Sequence, residues 1–249
     1  MKAGQTIANR TDFTVLDETD DYIVVNKPAP LLVHPSKPSP VRTLWHELND
    51  LLVYEVHTGG QLSIINRLDR ETSGVVLVAK HYEAARSFSL LMQERQFTKS
   101  YFAKVWGWPS DDTFSIEAPL LRQGEVQPST IWLKRMVHPD GQASETRVTV
   151  LRRFEFAGQR FSDLSLQPIT GRMHQLRVHL SHVKLPIVGD KIYGPDERCY
   201  LEFIKHGWTD YLAETLILPR HALHASALGL RSLNQHWRAP LAKDLNWPN

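Results

Sequence analysis

The segment from Asn66 to Gly74, which reads Asn-Arg-Leu-Asp-Arg-Glu-Thr-Ser-Gly, has the residue types and spacing best suited to chemistry in this chain. It sets one carboxylate, Asp69, in a short loop before the continuous apolar run Val75 to Ala79, a pattern typical of a buried strand. The threonine, serine and glycine that end the loop can close its turn through hydrogen bonds. A carboxylate held so rigidly could act directly on a substrate. A turn residue paired with Arg67 or Arg70 would produce the same pattern.

Histidine is the other residue type whose placement could carry chemistry, because imidazole is the commonest metal ligand in proteins. The chain has 12 histidines, which include a group on one predicted helix and a pair near the end, namely His174, His179, His182, His221 and His224. No His-Glu-x-x-His pattern occurs, and no acidic ligand adjoins His179 and His182. A Gly-x-Ser-x-Gly nucleophile elbow and the glycine-rich phosphate and dinucleotide loops are also absent. We therefore expect no metal site, and a metal-dependent hydrolase is the weaker alternative.

Composition narrows the class of protein. With 42% hydrophobic and 22% charged residues in 249, the chain has the balance of a globular protein. Its single cysteine, Cys199, leaves no internal disulfide and suits a reducing compartment. The polar start, residues 1–10, lacks a secretory pattern, and no run of about 18 apolar residues could cross a membrane. We expect a cytoplasmic protein with no membrane partner.

The distribution of charge is more informative than its sum. The net charge of +2 is too small to identify a nucleic-acid-binding protein. Between Arg152 and His182, however, only two acids accompany five arginines, namely Arg152, Arg153, Arg160, Arg172 and Arg177. A basic face that binds an anionic ligand and an ordinary solvated surface are both compatible with this cluster.

The elements that must position the Asp69 loop are mainly strands. The sequence predicts a hairpin over residues 13–25, followed by a stiff proline-rich loop from Pro28 to Pro40. Further strands are predicted at residues 75–79, 101–106, 130–136, 146–156, 160–167 and 222–230. Strands in runs with occasional helices favour an α+β fold over an alternating βαβ sheet. We expect one domain over residues 1–249.

Three helices are predicted, at residues 43–53 and 81–96 and from about Arg172 onwards. The spacing of the third helix turns one set of side chains inward, namely Met173, Leu176, Leu180 and Val183. It leaves another face that carries Gln175, His179 and His182.

Several segments together carry a resemblance to a known family. Residues 67–74 look like the Arg-Leu-Asp-x-x-Thr-Ser-Gly signature of the RluA family of RNA pseudouridine synthases. The other matching segments, in the family's order, are Val24–Pro28, Lys99–Tyr101, Thr170–His179, Pro186–Asp190 and Leu223–Ala225. The resemblance covers roughly residues 13–240. It implies the pseudouridine synthase fold, a mixed, mostly antiparallel sheet bent around a central catalytic cleft with flanking helices.

The resemblance also implies roles for individual residues. It makes Asp69 the catalytic carboxylate, Tyr101 the aromatic residue against the target base, and Arg177 the arginine paired with the aspartate. A paired guanidinium would keep the carboxylate ionised and oriented, and a tyrosine face can stack on a pyrimidine. A core tyrosine and a surface arginine are the ordinary alternatives. The expected RNA-binding residues are Asn66, Arg67, Arg172, His174 and Gln175.

The activity that the resemblance implies is isomerisation of specific uridines to pseudouridine in ribosomal or transfer RNA, with the target base flipped out of its stack. No cofactor is implied, because the reaction needs neither redox change nor a group donor. The expected partner is a structured RNA stem-loop, and the expected state is a monomer. A non-catalytic RNA-binding protein on the same scaffold is the alternative, which the presence of all three catalytic residues disfavours.

The sequence departs from the family at one visible position. Relatives commonly have histidine where this chain has Asn66, and an asparagine cannot titrate near neutrality. We therefore expect position 66 to supply no catalytic proton. We also expect this chain to lack the small N-terminal RNA-binding domain of many relatives, so that RNA selection rests on the catalytic domain.

Overall fold

The computed structural model describes residues 13–35 and 41–247. Twelve strands lie within these ranges: β1 Thr14–Glu18, β2 Tyr22–Lys27, β3 Ser63–Ile64, β4 Ser73–Ala79, β5 Phe97–Trp106, β6 Thr113–Glu117, β7 Leu120–Arg122, β8 Arg135–Val137, β9 Glu145–Phe156, β10 Gln159–Pro168, β11 Leu223–Leu230 and β12 Gln235–Arg238. The helices there are α1 Leu44–Leu51, α2 Val53–His57, α3 Tyr82–Gln93, α4 Gln175–His182, α5 Arg198–His206 and α6 Asp210–Leu216. The part of the predicted proline-rich loop at residues 36–40 lies outside the described residues.

Ten of these strands form one sheet, in the order β1-β2-β4-β11-β5-β10-β9-β6, with β3 on β4 and β12 on β11. Strand β11 pairs in parallel with β4, whereas its pairing with β5 is antiparallel, as are the pairs β2–β4, β5–β10 and β9–β10. Strands β7 and β8 form a separate two-stranded sheet. The predicted α+β fold with a mostly antiparallel sheet is confirmed.

Two helices, one on each face of the sheet, explain why β4 is apolar along its whole length after the Asp69 loop. Alternate side chains of β2 and β4, such as Val25 and Val76, pack with Leu48 of α1 on one face of the sheet. The opposite set, such as Leu77, packs with Phe88 of α3. Burying each aliphatic side chain stabilises the fold by roughly 1.5–3 kcal/mol. Since both faces are covered, β4 is anchored firmly and fixes the end of the loop that carries Asp69.

The strand predicted at residues 130–136 is wrong over most of its length. Only residues 135–137 pair, with β7, and residues 130–133 form a bend followed by a turn. Trp132 and Leu133 are 74% and 44% exposed. Ile131, which is 2% exposed, is the one buried side chain of residues 130–134, so this apolar run has the composition of a strand without its alternating buried face.

The helix predicted from about Arg172 begins later, at Gln175. His174 adopts a left-handed conformation, with φ of 56°, so it stands before the first helical turn rather than within it. Met173 is consequently 44% exposed instead of packing inward. Residues 175–180 of the helix are all buried, because Gln175 and His179 contact protein groups where the sequence predicted a separate polar face, and only His182 of that face is exposed.

No helix in the described ranges combines the length and apolar character that a membrane-spanning helix requires.

Candidate active site

Three neighbouring strands bring the candidate residues together at the centre of the sheet. In the pairing register, Gly74 of β4 lies opposite Ala225 of β11, and Ala225 lies opposite Tyr101 of β5. Gly74 has a φ of 116°, and a Cβ atom there would lie 2.1 Å from the carbonyl oxygen of Ala225. Glycine is therefore required where the Asp69 loop enters the sheet. The parallel pairing of β4 and β11 thus places Asp69 beside Tyr101.

Asp69 forms an ion pair with Arg177. The Nη1 atom of Arg177 donates to Asp69 Oδ2 at 2.9 Å, across 108 residues of sequence. Neither Arg67 nor Arg70 forms an ion pair within the described part of the chain, so the turn-residue alternative for Asp69 does not hold. The Asp69 side chain is 30% exposed and can be reached by a ligand, whereas that of Arg177 is 6% exposed.

A second carboxylate fixes the arginine. Asp190 is fully buried and accepts from Nε and Nη2 of Arg177 at 2.7 and 2.8 Å. Its Oδ1 also accepts from the backbone N–H groups of Ile192 and Tyr193, at 2.9 and 3.0 Å. A bidentate pair of this kind sets the plane of the guanidinium. One nitrogen of Arg177 is left for Asp69, in a direction that Asp190 determines.

The arginine decides the ionisation state of Asp69. Burial alone would raise the pKa of the Asp69 carboxyl, but the charge of Arg177 opposes it, and the resulting pKa lies below the ordinary value. The pKa of Asp190 falls well below its usual range, since the charge and hydrogen bonds of Arg177 outweigh the penalty of burial. Both carboxylates are therefore ionised at neutral pH, and Asp69 is available as an anion.

His174 borders Asp69 on the other side. Its Nε2 lies 3.9 Å from Asp69 Oδ1, and its Nδ1 shares a hydrogen bond of 2.8 Å with the hydroxyl of Tyr193. Burial and the neighbouring charge of Arg177 lower the pKa of His174 to about 4. The ring is thus neutral at pH 7 and can donate or accept one hydrogen bond at the site.

Tyr101 supplies an aromatic surface next to the carboxylate. It is half-buried and packs against the apolar clusters on both sides of the β5 strand. Burial and the charge of Asp69 raise its pKa above the ordinary value, so its hydroxyl keeps its proton. The face of such a ring can receive a planar base.

Buried cations hold the backbone of the Asp69 loop. Lys27, which is fully buried, donates to the carbonyl oxygen of Arg70 at 3.3 Å, and Arg220 donates to that of Glu71 at 3.0 Å. Lys191 donates to Glu71 Oε1 at 2.7 Å. Burial, followed by the charge of Arg220, lowers the pKa of Lys27 to about 7. These contacts come from three separate parts of the fold and restrain the loop directly after Asp69.

Two histidines hold the side chains that end the loop. Thr72 Oγ1 shares a hydrogen bond of 2.7 Å with His221 Nε2, and Ser73 Oγ shares one of 2.9 Å with His224 Nδ1. The turn itself is closed by the backbone, since the N–H of Thr72 donates to the carbonyl of Asp69 at 3.1 Å. The sequence predicted that side-chain and backbone hydrogen bonds of these residues would close the turn. The backbone bond of Thr72 does so, whereas the hydroxyls of Thr72 and Ser73 anchor the loop to the β11 segment.

Two predicted RNA-binding residues have structural roles. Asn66 is 8% exposed, and its amide donates to the carbonyl of Val75 and accepts from the N–H of Leu77 in β4. Gln175 is 3% exposed and bonds Thr146 and the backbone of residue 145. Their polar atoms are buried and bonded within the protein, which gives both side chains a structural role, and their contact with RNA stays a prediction.

The predicted basic face is largely neutralised within the chain. Arg152, Arg153 and Arg160 pair with carboxylates, as Arg177 does. Arg172 has no carboxylate partner in residues 13–35 and 41–247, and it is exposed. Arg172 and Arg67 are therefore exposed arginines beside the site that can still bind an anion.

Sequence reasoning missed Asp190, Tyr193 and Lys99. Asp190 ends one of the matching segments, where Gly189 brings the backbone so close to Arg220 that a Cβ would lie 2.0 Å from its carbonyl oxygen. Lys99 is half-buried on β5, two residues before Tyr101, and burial lowers its pKa. Asp190 and Lys99 both stand in the segments that match the family, but the sequence pattern did not indicate which groups their side chains contact.

The histidines are not arranged as metal ligands. His179 is bonded to Thr146 Oγ1 and to the carbonyl of Ala118, and His221 and His224 bond hydroxyl groups. Across the described residues, no three His, Cys, Asp or Glu side chains are grouped to hold a metal ion.

Comparison with solved structures defines the class of protein. The fold matches the human RNA pseudouridylate synthase domain containing 4 with a TM-score of 0.71 and 26% identity, over 93% of this chain and 89% of that one. It matches the human RNA pseudouridylate synthase domain containing 1 with the same TM-score and 24% identity, over 99% of this chain and 89% of that one. The architecture is that of pseudouridylate synthases.

The family model described as RNA pseudouridylate synthase matches residues 21–182, and this chain belongs to that family. Among curated relatives, an uncharacterized RNA pseudouridine synthase of Chloroflexus aurantiacus is 39% identical over 88% of this chain. The ribosomal large subunit pseudouridine synthase D of Pseudomonas aeruginosa is 33% identical over 98% of it. The chain spans 63% of the first relative's length and 73% of the second's. The resemblance to the RluA family is thereby confirmed.

Proposed function

We propose that this chain is an RNA pseudouridine synthase that isomerises selected uridines, with Asp69 as its catalytic carboxylate. The observation that carries the proposal is the ion pair of Asp69 with Arg177, which keeps a reachable carboxylate ionised beside the aromatic face of Tyr101. Family membership supports the reaction class. The names of several relatives refer to the large ribosomal subunit, which supports ribosomal RNA as the substrate, with transfer RNA as the alternative.

The reaction conserves every atom of the nucleotide. The bond between N1 of uracil and C1′ of ribose breaks, the base rotates, and a bond from C5 to C1′ forms. The proton on C5 is lost and N1 gains one, so the change is neutral. No redox partner or group donor is needed, and we propose no cofactor.

Each residue of the site has a defined task in this scheme. Asp69 acts as an anion on the reacting nucleoside, either by adding to the uracil ring or at the sugar. Arg177 orients that anion, and Tyr101 holds the base by stacking. His174, neutral at pH 7, supplies one hydrogen bond to the substrate. The uridine is proposed to leave its helical stack to reach Asp69, whose carboxylate is approached by Arg177 and His174.

Arg67 and Arg172 are proposed to bind the RNA around the flipped uridine. Both are exposed and lack carboxylate partners in the described ranges, and Arg67 lies two residues from Asp69. A guanidinium there can stack in the space that the base vacates and also bond a phosphate.

Mapping pseudouridines at nucleotide resolution in a strain that lacks this gene tests the proposal. We expect one or a few sites to disappear and to return on complementation with the wild-type gene but not with Asp69→Ala. If the map is unchanged while the purified protein still binds structured RNA, the non-catalytic RNA-binding alternative is favoured instead.

A further inference from the structure

A cavity lies beside the segment that leads into the candidate active site. It has a volume of about 390 Å³ and lies between the β7–β8 sheet and the turn that precedes α4. Three arginines from three separate segments line it, namely Arg122, Arg135 and Arg172. Met173, the next residue after Arg172, lines it too and is followed directly by His174, whose Nε2 lies 3.9 Å from Asp69. The cavity is therefore next to the place where a flipped uridine would react.

The arginines of this cavity are poorly satisfied within the protein. The Nε atom of Arg135 is buried and has no hydrogen-bond partner among the described residues, and its Nη2 meets only the sulfur of Met173, at 3.1 Å. Arg172 reaches one backbone carbonyl, that of Ala143, at 3.4 Å. A buried donor without a partner costs free energy, so an acceptor from outside the chain would stabilise this arrangement.

The two acidic residues at the cavity do not neutralise it. Glu125 lies 3.4 Å from Arg122, and its side chain is 52% exposed, while that of Asp140 is 85% exposed. Arg122, by contrast, is only 23% exposed. Exposed carboxylates can turn into solvent at little cost, whereas the guanidinium of Arg122 and the buried Nε of Arg135 stay in the cavity wall. The remaining charge favours an anion with several acceptor oxygens, and a phosphate matches the planar fork of arginine.

An exposed aromatic ring contacts one of the arginines that line the cavity. The guanidinium of Arg122 lies over the indole of Trp132, 3.9 Å from the ring centroid, and Trp132 is 74% exposed. The cation–π contact orients a large ring that otherwise has little to pack against. A base can stack on such a ring without sequence preference.

We propose that this cavity is a nucleotide subsite, which binds the phosphate of an RNA nucleotide next to the target uridine while Trp132 stacks on a nearby base. The subsite rests on the proposed function, since its ligand is the substrate RNA. It would hold the strand on one side of the flipped uridine and so fix which nucleotide faces Asp69.

A chemical double-mutant cycle tests this subsite. Single phosphates around the target uridine are replaced in turn by uncharged methylphosphonates, and each RNA is titrated against the wild-type protein, Arg172→Gln and Arg135→Gln. We expect one position where the wild type loses about tenfold in affinity and the variants lose nothing further. The slope of log Kd against log salt should also fall by about 0.7–0.9 in the variants, as for one lost phosphate contact.

Arg86→Gln is the matched control, because Arg86 is exposed on α3 without a carboxylate partner in the described chain and carries the same charge. It should respond to every methylphosphonate as the wild type does. Arg172 is exposed, so Arg172→Gln keeps the test valid if Arg135→Gln does not fold. If the affinity loss from the arginine variant and the loss from the methylphosphonate add at every position, the phosphate subsite is overturned. Failure of the wild type to form pseudouridine would overturn the proposed function instead, and the two results are separable.

Discussion

Asp190 holds the guanidinium of Arg177 through two hydrogen bonds of 2.7 and 2.8 Å, and leaves one nitrogen of that group for Asp69. The orientation of the candidate catalytic carboxylate therefore depends on a buried residue that does not itself border the exposed face of the site. This dependence gives Asp190 a positioning role that a purely structural residue would not have.

Asp190→Asn should slow the chemical step on the order of 10–100-fold, because a small misorientation of Arg177 displaces Asp69. RNA affinity should change little, since Asp190 is buried away from any ligand. Single-turnover rates and binding titrations on folded protein separate these effects. Asp163→Asn is the matched control, because Asp163 is also buried and paired with two cations, Lys104 and Arg152. An equal loss of rate in both variants would mean that Asp190 acts only through stability.

Arg177→Lys should lower the single-turnover rate by on the order of 100-fold or more, although it keeps the positive charge. An ammonium group cannot bond Asp190 at two points and Asp69 at a third in one plane. Circular dichroism and RNA binding should remain close to those of the wild type. A variant with near-normal turnover would exclude Arg177 as the residue that orients Asp69.

The pH dependence of the rate reports how Asp69 is kept ionised. The folded pKa of Asp69 is depressed below its ordinary 3.8, so the anion persists as the pH falls and is lost only below that value. The wild-type rate should therefore show no loss from Asp69 protonation between pH 5 and 7. In Arg177→Gln the penalty of burial is no longer opposed, so the pKa of Asp69 rises. Its residual rate should fall at a higher pH than that of the wild type. Identical acid limbs in the two proteins would contradict this prediction.

Arg67→Ala should slow turnover strongly on a structured stem-loop and less on an RNA whose target uridine is unpaired and unstacked. The exposed guanidinium can fill the vacated stack, and flipping costs a few kcal/mol only where the base is held. Single-turnover rates of wild type and variant on the two RNAs measure the difference. Equal fractional losses would indicate that Arg67 only supports the loop.

Local patterns in the sequence predicted the parts of the site that are local in the fold. Asp69 before the buried β4 strand, and Tyr101 on β5, follow from motif and alternation, and both lie where those patterns place them. Local patterns alone could not give the partners of Asp69: only the family resemblance implied Arg177, and nothing in the sequence implied a role for Asp190. Arg177 is 108 residues away, and Asp190 acts through it, so their geometry depends on the packing of the whole sheet.

The differences between the structure and the sequence predictions also have local physical causes. The left-handed conformation of His174 delays the start of α4, and helical spacing does not anticipate it, because a positive φ is uncommon at any residue other than glycine. Asn66 was expected to bind RNA from the family resemblance, and it stands in a charged loop beside Arg67. Its amide instead substitutes for a strand partner of β4. The burial of a polar residue in a charged loop cannot be predicted from the sequence alone, because it depends on the strand that packs beside the loop.

The most direct test of the central claim is the single-turnover formation of pseudouridine by purified Asp69→Asn and Asp69→Ala, measured beside their affinity for the same RNA. The substitutions remove the reacting carboxylate and few phosphate contacts. We predict no detectable product from either variant, with RNA affinity within about tenfold of the wild type, a difference of roughly 1.4 kcal/mol. Appreciable turnover by Asp69→Ala would contradict the assignment of Asp69 as the catalytic carboxylate.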